Sequence, residues 1–401
     1  MRICLIVDCY LPSGKSSAKL ISDLAGELVA AGHSPVVVTP DDTLPGLCSV
    51  ISESDGVTVV RVRSGKIKGA SLVRRGLNEA MLSWMIWRGG KRYFRENPCD
   101  LVVFYSPSIF FGGLVRRLKK LWGCGAYLIL RDIFPQWAVD AGVMRGSGPI
   151  WKFFRRREMA QYAEADIIAV QSPANLEYFK SPELAGKYRL EVLYNWTRTS
   201  EPDVPECSYR SDLGLDGKVV FFYGGNIGVA QDMDNIIRLA EGLADIPQVH
   251  FLLVGDGSEV PRLKELIRSR GLDNIQILPA VGQKEYLGML RQFDVGLISL
   301  AGGLTTQNIP GKLLGYMYYS MPVLASINPG NDLKDMLESH HAGLVSLNGA
   351  DGELADQARR LASDGQLRET MGANSRRLLE EVFSVEKAAA QILRAAADIA
   401  R

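Results

Sequence analysis

The sequence predicts an α/β protein of two facing doubly wound, Rossmann-like domains with a cleft between them. Three observations carry that expectation. Short unbroken apolar runs recur along the 401 residues, as parallel strands buried on both faces require. Stretches with apolar residues at helical spacing alternate with them. A looser region around residue 200 interrupts the rhythm, and afterwards it starts again. At about 150 residues per domain, the length itself gives two or three domains.

RICLIV (2–7) reads as the first strand and is followed by the turn-rich loop DCYLPSGKSS. The next stretch reads as a helix, with Ile21, Leu24, Leu28 and Ala31 at helical spacing, Ser16 or Ser17 as its cap and Gly32 as its end. PVVVTP (35–40) completes a βαβ unit and places Gly14 and Lys15 on the side of the sheet where open α/β folds bind ligands. Further strands are expected at 101–106, 126–130, 165–170 and 190–194. The region 194–212 carries Pro202 and Pro205 and few apolar residues, which favours an extended linker. Beyond it, strands are expected at 218–225, 249–257, 274–278, 294–300, 322–326 and 343–347, with helices between them. The Ala-rich run from Val385 closes the chain as a helix. The resulting domains are 1–198, a linker 199–212, a second domain 213–384 and a terminal helix 385–401.

Net charge is only +1, yet the halves differ: residues 1–200 carry +9 and residues 201–401 carry −8. The window Lys66 to Arg157 reaches +13. Such asymmetry points to an anionic partner for the first half. The stretches 71–96, FFGGLVRRLKKLWG and IWKFFRRRE mix aromatic and aliphatic residues with cations, the composition of helices that lie on an anionic membrane surface. Ordinary amphipathic helices of an α/β domain would read the same way. No signature of a nucleic-acid-binding module appears, so nucleic acid is not the expected partner. The six cysteines form no Cys-x-x-Cys pair and have only four histidines for company. Neither a metal site nor a disulfide framework is therefore expected, and the thiols read as reduced cytoplasmic residues. The N-terminal apolar run is short and interrupted by Asp8, unlike a signal peptide, and no run of about 18 apolar residues offers a spanning helix.

Residues 302–326 form the stretch with the sharpest chemistry. A polar loop containing Gln307 and Asn308 turns through Pro310-Gly311 into a short helix and then a strand. Lys312 lies in the first helical turn, where a cation is unfavourable by roughly a few tenths of a kcal/mol unless an anion is bound there. A lysine reaching into solvent is the plainer alternative. Gly225 and Asn226, after the first strand of the second domain, and Gly255-Asp256-Gly257, after the next, form turns whose backbone amides can approach an anion. Structural turns explain them equally well. Ser258 reads as a helix cap there, with Pro261 in the first turn. Arg131 and Asp132 follow a buried strand, where a carboxylate can bind sugar hydroxyls or accept a proton and where an Arg-Asp pair can also tie down the loop. Asp232 and Asp234 match an Asp-x-Asp metal-nucleotide pattern, but they open a helix, where acidic residues are favoured anyway.

Taken together, YLPSGKSSAKLISDLAGELVAAGHSPVVVTP, ADIIAVQSPANLEYF, VLYNW, FYGGNIG, FLLVGDGSEVPRLKELIRSRGLDNIQIL and the 302–326 stretch resemble glycosyltransferase family 4, retaining enzymes of the GT-B fold. GNIGVAQDMDNII and RDIFPQW resemble the branch of O-antigen and capsule transferases, WbuB-type fucosamine transferases among them. The resemblance implies a nucleotide-sugar donor, usually a UDP-sugar, on the second domain and a lipid-linked saccharide acceptor on the first. It implies a metal-independent reaction with no cofactor, the donor being a substrate. It also implies that the last helix crosses back to the first domain.

Five departures stand out. The family's paired glutamates align with Gln307 and Gly315, and its Arg and Lys after the first strand of this domain align with Asn226 and Gln231. Lys312 is the nearest replacement cation, sharing a helix face with Gly315, and Lys15 and Arg131 stand as helpers from the first domain. No His occupies LVVFYS, which leaves Asp132 as the catalytic candidate with Lys312. The expected activity is transfer of a sugar, such as an N-acetylated 6-deoxyhexose, from UDP to a polyprenyl-diphosphate-linked saccharide in surface polysaccharide synthesis. The place is the cytoplasmic membrane face, where the protein is peripheral. A nucleotide-sugar epimerase of the same fold and a non-catalytic partner of another transferase are the alternatives.

Overall fold

The structure, a computed structural model, describes residues 1–46, 48–66, 72–140, 142–200, 208–304 and 309–399, with the backbone alone at 72–75 and 77. Gln307 and Asn308 therefore lie outside the described residues. The chain divides into two compact units, Met1–Arg198 with Val385–Arg401, and Thr199–Ser384.

The first unit contains β1 (Arg2–Ile6), α1 (Ser16–Ala30), β2 (Ser34–Asp41), β3 (Ser49–Ser54), β4 (Val57–Arg63), α2 (Leu72–Glu96), β5 (Leu101–Ser106) and α3 (Gly112–Trp122). It continues through β6 (Gly125–Leu130), α4 (Gln136–Asp140), α5 (Pro149–Tyr162), β7 (Ile167–Val170) and β8 (Leu190–Val192). Its eight strands lie in the order β3-β4-β2-β1-β5-β6-β7-β8. Successive strand side chains point to opposite faces, and the core obeys this. Ile3 and Leu5 pack with Leu24 and Leu28 of α1, whereas Cys4 and Ile6 pack with Ile86 of α2 and Leu118 of α3. Helices therefore cover both faces. Complete burial of Leu24 and Leu28 contributes about 1.5–3 kcal/mol each.

The second unit contains α6 (Tyr209–Asp212), β9 (Val219–Gly224), α7 (Met233–Gly242), β10 (Val249–Val254), α8 (Val260–Arg270), β11 (Ile275–Leu278) and α9 (Gln283–Leu290). It continues with β12 (Val295–Ser299), α10 (Lys312–Tyr318), β13 (Val323–Ile327), α11 (Leu333–Ser339), β14 (Gly343–Leu347), α12 (Asp351–Ser363) and α13 (Gly365–Val382). Its sheet, β11-β10-β9-β12-β13-β14, is parallel throughout. The closing helix α14 (Val385–Ile399) buries Ala388, Ile392 and Ala395 in the core of the first unit. There Gln391 Nε2 donates to the Val192 carbonyl at 2.9 Å.

Three local expectations are corrected. Strands β3 and β4 add to the expected set, and they make one antiparallel hairpin in the first sheet. Their turn is Asp55-Gly56, both at positive φ, the geometry that an Asp-Gly pair favours in tight hairpins. Neither Ser16 nor Ser17 caps α1: the capping position is Lys15, with no side-chain cap bond, and Ser17 turns to Asp8 instead. Nor does Ser258 cap α8, because the helix starts one residue later, after Glu259.

Candidate functional site

In open α/β sheets, ligands bind beyond the carboxyl ends of strands where the strand order reverses. The first sheet reverses at β1 and β5, the second at β9 and β12. Most of the expected site residues that the structure describes lie at these two places.

In the second unit, the turns after β9 and β10 run side by side. The ladder continues beyond the strands: the Gly225 amide donates to Val254 O at 2.9 Å, and the Ile227 amide to Asp256 O at 2.9 Å. A Cβ on Gly255 would fall 1.8 Å from the Gly225 carbonyl oxygen, and one on Gly257 would fall 2.0 Å from that of Ile227. Glycine is thus required at 255 and 257 by backbone packing. Gly225 itself has φ +128, which side-chain-bearing residues rarely adopt. Asn226 and Gln231 bond to each other. Asn226 Nδ2 donates to Gln231 Oε1 at 2.8 Å, and the same oxygen accepts the Gly228 amide at 3.2 Å. Asp232 accepts a bond from Asn348 at 2.9 Å and Asp234 pairs with Arg262 at 2.9 Å, so both acids of the Asp-x-Asp pattern have structural partners.

Lys312 opens α10 and folds inward over this turn. Its Nζ lies 3.3 Å from the centroid of the Tyr223 ring and 3.6 Å from where a Gly225 Cβ would stand. No carboxylate among the described residues pairs with it. Burial pushes its pKa down to about 7, since low dielectric disfavours the ammonium. The aromatic face offsets part of that loss, but a bound anion would offset more. Tyr223 is itself fixed by donating to Asn226 O at 2.6 Å.

Gly315, one turn further, faces elsewhere. A Cβ there would meet Leu290 Cδ1 at 2.9 Å and Tyr286 Cε1 at 3.8 Å, both on α9. The opposite edge of the Tyr286 ring lies 2.3 Å from a Cβ on Gly224. Leu290 and Tyr286 together therefore fill the space that a longer side chain at 315 would need. Sequence reasoning misses this residue, because QKEYLGML reads as an ordinary amphipathic turn.

In the first unit, Asp8, Tyr105, Arg131 and Asp132 gather at the ends of β1, β5 and β6. Arg131 is buried; its guanidinium donates to the Leu193 carbonyl and, at 3.1 Å, to that of Tyr194, and it lies 5.3 Å above the Trp196 ring. These contacts anchor the 193–196 segment. Asp132 beside it has its pKa raised by burial, opposed by Arg131 and reinforced by the carboxylate of Asp8. Tyr105 is pushed up to about 12, chiefly by burial. Asp8 accepts from Lys15 Nζ at 2.9 Å and from Ser17 Oγ at 3.3 Å. Lys15 is thus already neutralised by a carboxylate. A Cβ on Gly14 would meet nothing within 4 Å. Asp8 is the legible omission: it ends the first strand on the ligand-binding side of the sheet.

The comparisons follow this division. A family model described as "Glycosyl transferase 4-like domain" matches residues 17–196, and one described as "Glycosyl transferases group 1" matches residues 208–378. The chain is 26% identical to the putative colanic acid biosynthesis glycosyl transferase WcaI of Escherichia coli K12 over 334 residues, covering 78% of this chain and 80% of that protein. It is 24% identical to the probable glycosyltransferase WbjE of Pseudomonas aeruginosa, covering 79% and 75%. Among solved structures, Anabaena Alr3699/HepE in complex with UDP superposes with a TM-score of 0.68 at 17% identity, covering 99% of this chain and all of that one. Sucrose-phosphate synthase of Thermosynechococcus elongatus gives 0.71 at 18% identity, covering 98% and 97%.

Proposed function

Because the chain belongs to glycosyltransferase family 4, enzymes of the GT-B fold, we propose that it transfers a sugar from a UDP-sugar to a lipid-linked saccharide with retention of anomeric configuration. The observation that carries the donor assignment is Lys312, a half-buried lysine with no carboxylate partner among the described residues, its ammonium poised over the Gly225 turn. A diphosphate at this turn supplies the missing counter-charge, and backbone amides of the turn add hydrogen bonds. UDP in the related HepE structures and the colanic acid role in the name of the WcaI relative support the donor and the polysaccharide setting.

In the proposed reaction, the bond between the anomeric carbon and the leaving diphosphate oxygen breaks. The acceptor hydroxyl oxygen bonds to the same face of that carbon, and its proton passes to the departing diphosphate. Lys312 stabilises the charge that develops on the leaving group. Asp132, whose pKa burial raises, binds a hydroxyl of the sugar or acceptor. The sugar is an N-acetylated 6-deoxyhexose such as N-acetylfucosamine. The acceptor is carried on polyprenyl diphosphate, and the enzyme works peripherally at the cytoplasmic face of an anionic membrane. Among the described residues no helix is long and apolar enough to cross one.

The test is incubation with a panel of UDP-sugars and a polyprenyl-diphosphate saccharide, with the glycolipid product analysed by NMR. The reading expects UDP release matched by an axial or equatorial linkage that keeps the donor's configuration. Inversion would overturn the mechanism. Conversion of the donor with no acceptor present would indicate the epimerase, and UDP binding without turnover across the panel would indicate a non-catalytic partner.

A further inference from the structure

The sequence contains three basic, apolar stretches in the first unit, and their helices turn out differently. In α3, Leu114, Val115 and Leu118 are buried while Arg116, Arg117 and Lys120 are exposed. In α2, Leu82, Ile86 and Phe94 are buried and Lys91, Arg92 and Arg95 are exposed. Each has an apolar stripe facing the core, although Met81 and Trp84 of α2 and Leu121 of α3 are exposed as well. Helix α5 differs in burying charged and amide side chains and in exposing apolar ones more fully. Glu158 and Gln161 of α5 are fully buried. Glu158 accepts from Arg155 and from Tyr178, each at 2.7 Å, and Gln161 Oε1 accepts the Phe111 amide at 3.1 Å. The inward face is therefore partly polar, these groups standing beside Tyr162, Phe154 and Met159, which pack on the core. Outward stand Ile150, 65% exposed, and Phe153, 41% exposed, among exposed Lys152, Arg156 and Arg157.

This outward face continues onto α4 and the loop that follows it. Trp137 is 42% exposed and Val143 is 75% exposed. Ring contacts run from Trp137 to Phe134 (5.9 Å), to Phe154 (4.9 Å) and to Phe153 (5.3 Å). The result is one fixed apolar surface rather than scattered side chains. Arg157 lies 5.3 Å above the Phe153 ring, which places a cation at its margin. Among the described residues of 136–157, exposed Arg145, Lys152, Arg156 and Arg157 face a single exposed acid, Asp140.

We propose that the outward face of α5, with Trp137 and Val143 beside it, docks the first unit onto an anionic lipid bilayer. A protein core would bury the apolar groups but would leave four cations to be matched one by one. A bilayer interface accepts both, taking apolar side chains at the acyl boundary and cations at anionic headgroups. Aromatic residues are favoured at that depth. The inference rests on the proposed lipid-linked acceptor for its purpose, while the docking itself is measured apart from catalysis.

The test is co-sedimentation of the full chain with phosphatidylcholine vesicles containing about 30% phosphatidylglycerol, enough to give an anionic surface potential, compared with phosphatidylcholine alone. The paired substitution Ile150→Asp with Phe153→Asp and the triple substitution of Lys152, Arg156 and Arg157 to Glu should each weaken binding at least tenfold. The triple substitution of Arg116, Arg117 and Lys120 to Glu on α3 should weaken it less than threefold. Binding should also fall between about 0.1 and 1 M salt, as the screening length shrinks from about 10 to 3 Å. UDP affinity and transfer to a short, water-soluble acceptor analogue should stay unchanged in the α5 variants, while transfer to an acceptor embedded in vesicles falls. Absence of vesicle binding in a protein that binds UDP would overturn the docking and leave the transferase reading standing. An equal loss from the α3 and α5 substitutions would overturn it as well, showing general charge attraction without a docking face. Self-association of the wild type that the α5 substitutions abolish, without vesicle binding, would assign the face to a second copy of the chain instead.

Discussion

The turns after β1 and β9 look alike in sequence. Each follows the first strand of its unit and contains glycine. The structure makes them chemically different. After β1, Gly14 stands in open space and Lys15 is paired with Asp8 at 2.9 Å. After β9, the turn lies against a second turn so closely that glycine is obligatory at 255 and 257, and Lys312 faces an aromatic ring with no carboxylate partner among the described residues. A cation that already has its counter-ion gains little from another anion, and exposed pairs of this kind contribute only about 0–1 kcal/mol. A desolvated cation without one gains much more, because the same Coulomb attraction is less screened. On this contrast we propose the diphosphate site at the β9 turn.

The glycines give the largest contrast. Gly255→Ala forces a Cβ to within 1.8 Å of a backbone oxygen that cannot move without breaking the β9–β10 ladder. It should cost about 3 kcal/mol or more of stability and remove UDP binding. Gly14→Ala should change stability by less than about 0.5 kcal/mol. Thermal unfolding of the two variants side by side measures the difference, and equal losses would break the comparison.

Asp132→Asn should next lower kcat by about 10- to 100-fold, the scale of a lost charge-assisted hydrogen bond of about 1.5–3 kcal/mol to a substrate hydroxyl, with UDP affinity unchanged. The Asp132 pKa is raised by burial, so the acid limb of the pH–rate profile should lie above the ordinary carboxylate range and vanish in the variant. A loss in UDP affinity alone would move Asp132 out of the reaction.

The pH dependence of binding separates the two lysines. In the free protein Lys312 loses its proton near pH 7, and a diphosphate favours the charged form. Above about pH 7, UDP binding should therefore take up a proton, and affinity should fall by up to about tenfold per pH unit. For stability the sign is the reverse. The unfolded chain holds the Lys312 proton up to its ordinary, higher pKa, so the unliganded fold is penalised below about pH 7 and gains stability as pH rises above it. Lys312→Arg, charged throughout, should bind UDP without that slope apart from the nucleotide's own titration. Calorimetry in buffers of different ionisation enthalpy measures the uptake. The smallest effect is expected at Lys15→Ala, less than about threefold in UDP affinity, because Asp8 already holds that ammonium.

Much of the fold is legible in the chain itself. Buried strands such as Leu101–Ser106 and Val249–Val254 are apolar almost throughout because both faces are covered by helices, and that leaves a plain mark in the sequence. The β3–β4 hairpin carries its own signal, an Asp55-Gly56 turn between β-prone residues, but its outer strand is polar and largely exposed and so lacks the apolar run that marks the others. Helix caps mislead because Ser17 bonds to Asp8 across the turn rather than to its own helix. The importance of Gly255 and Gly257 is visible in the sequence, but its cause is not: their constraint comes from a neighbouring backbone brought close by β9–β10 pairing. The same holds for Tyr286 at Gly224 and Gly315, a meeting of three elements that no spacing rule connects. Arg131 and Asp132, adjacent in the chain, read as one site, and burial divides them into an anchor and a reactive candidate.

The central claim is that Lys312 is the cation that holds the donor's diphosphate. Its most direct test is the UDP affinity of Lys312→Ala and Lys312→Arg at about pH 6.5, where the wild-type ammonium is mostly charged, measured by calorimetry against the wild type. Loss of a charge-assisted bond of about 1.5–3 kcal/mol predicts affinity reduced about 10- to 100-fold in the alanine variant and largely retained in the arginine variant. Wild-type UDP affinity in Lys312→Ala would contradict the claim.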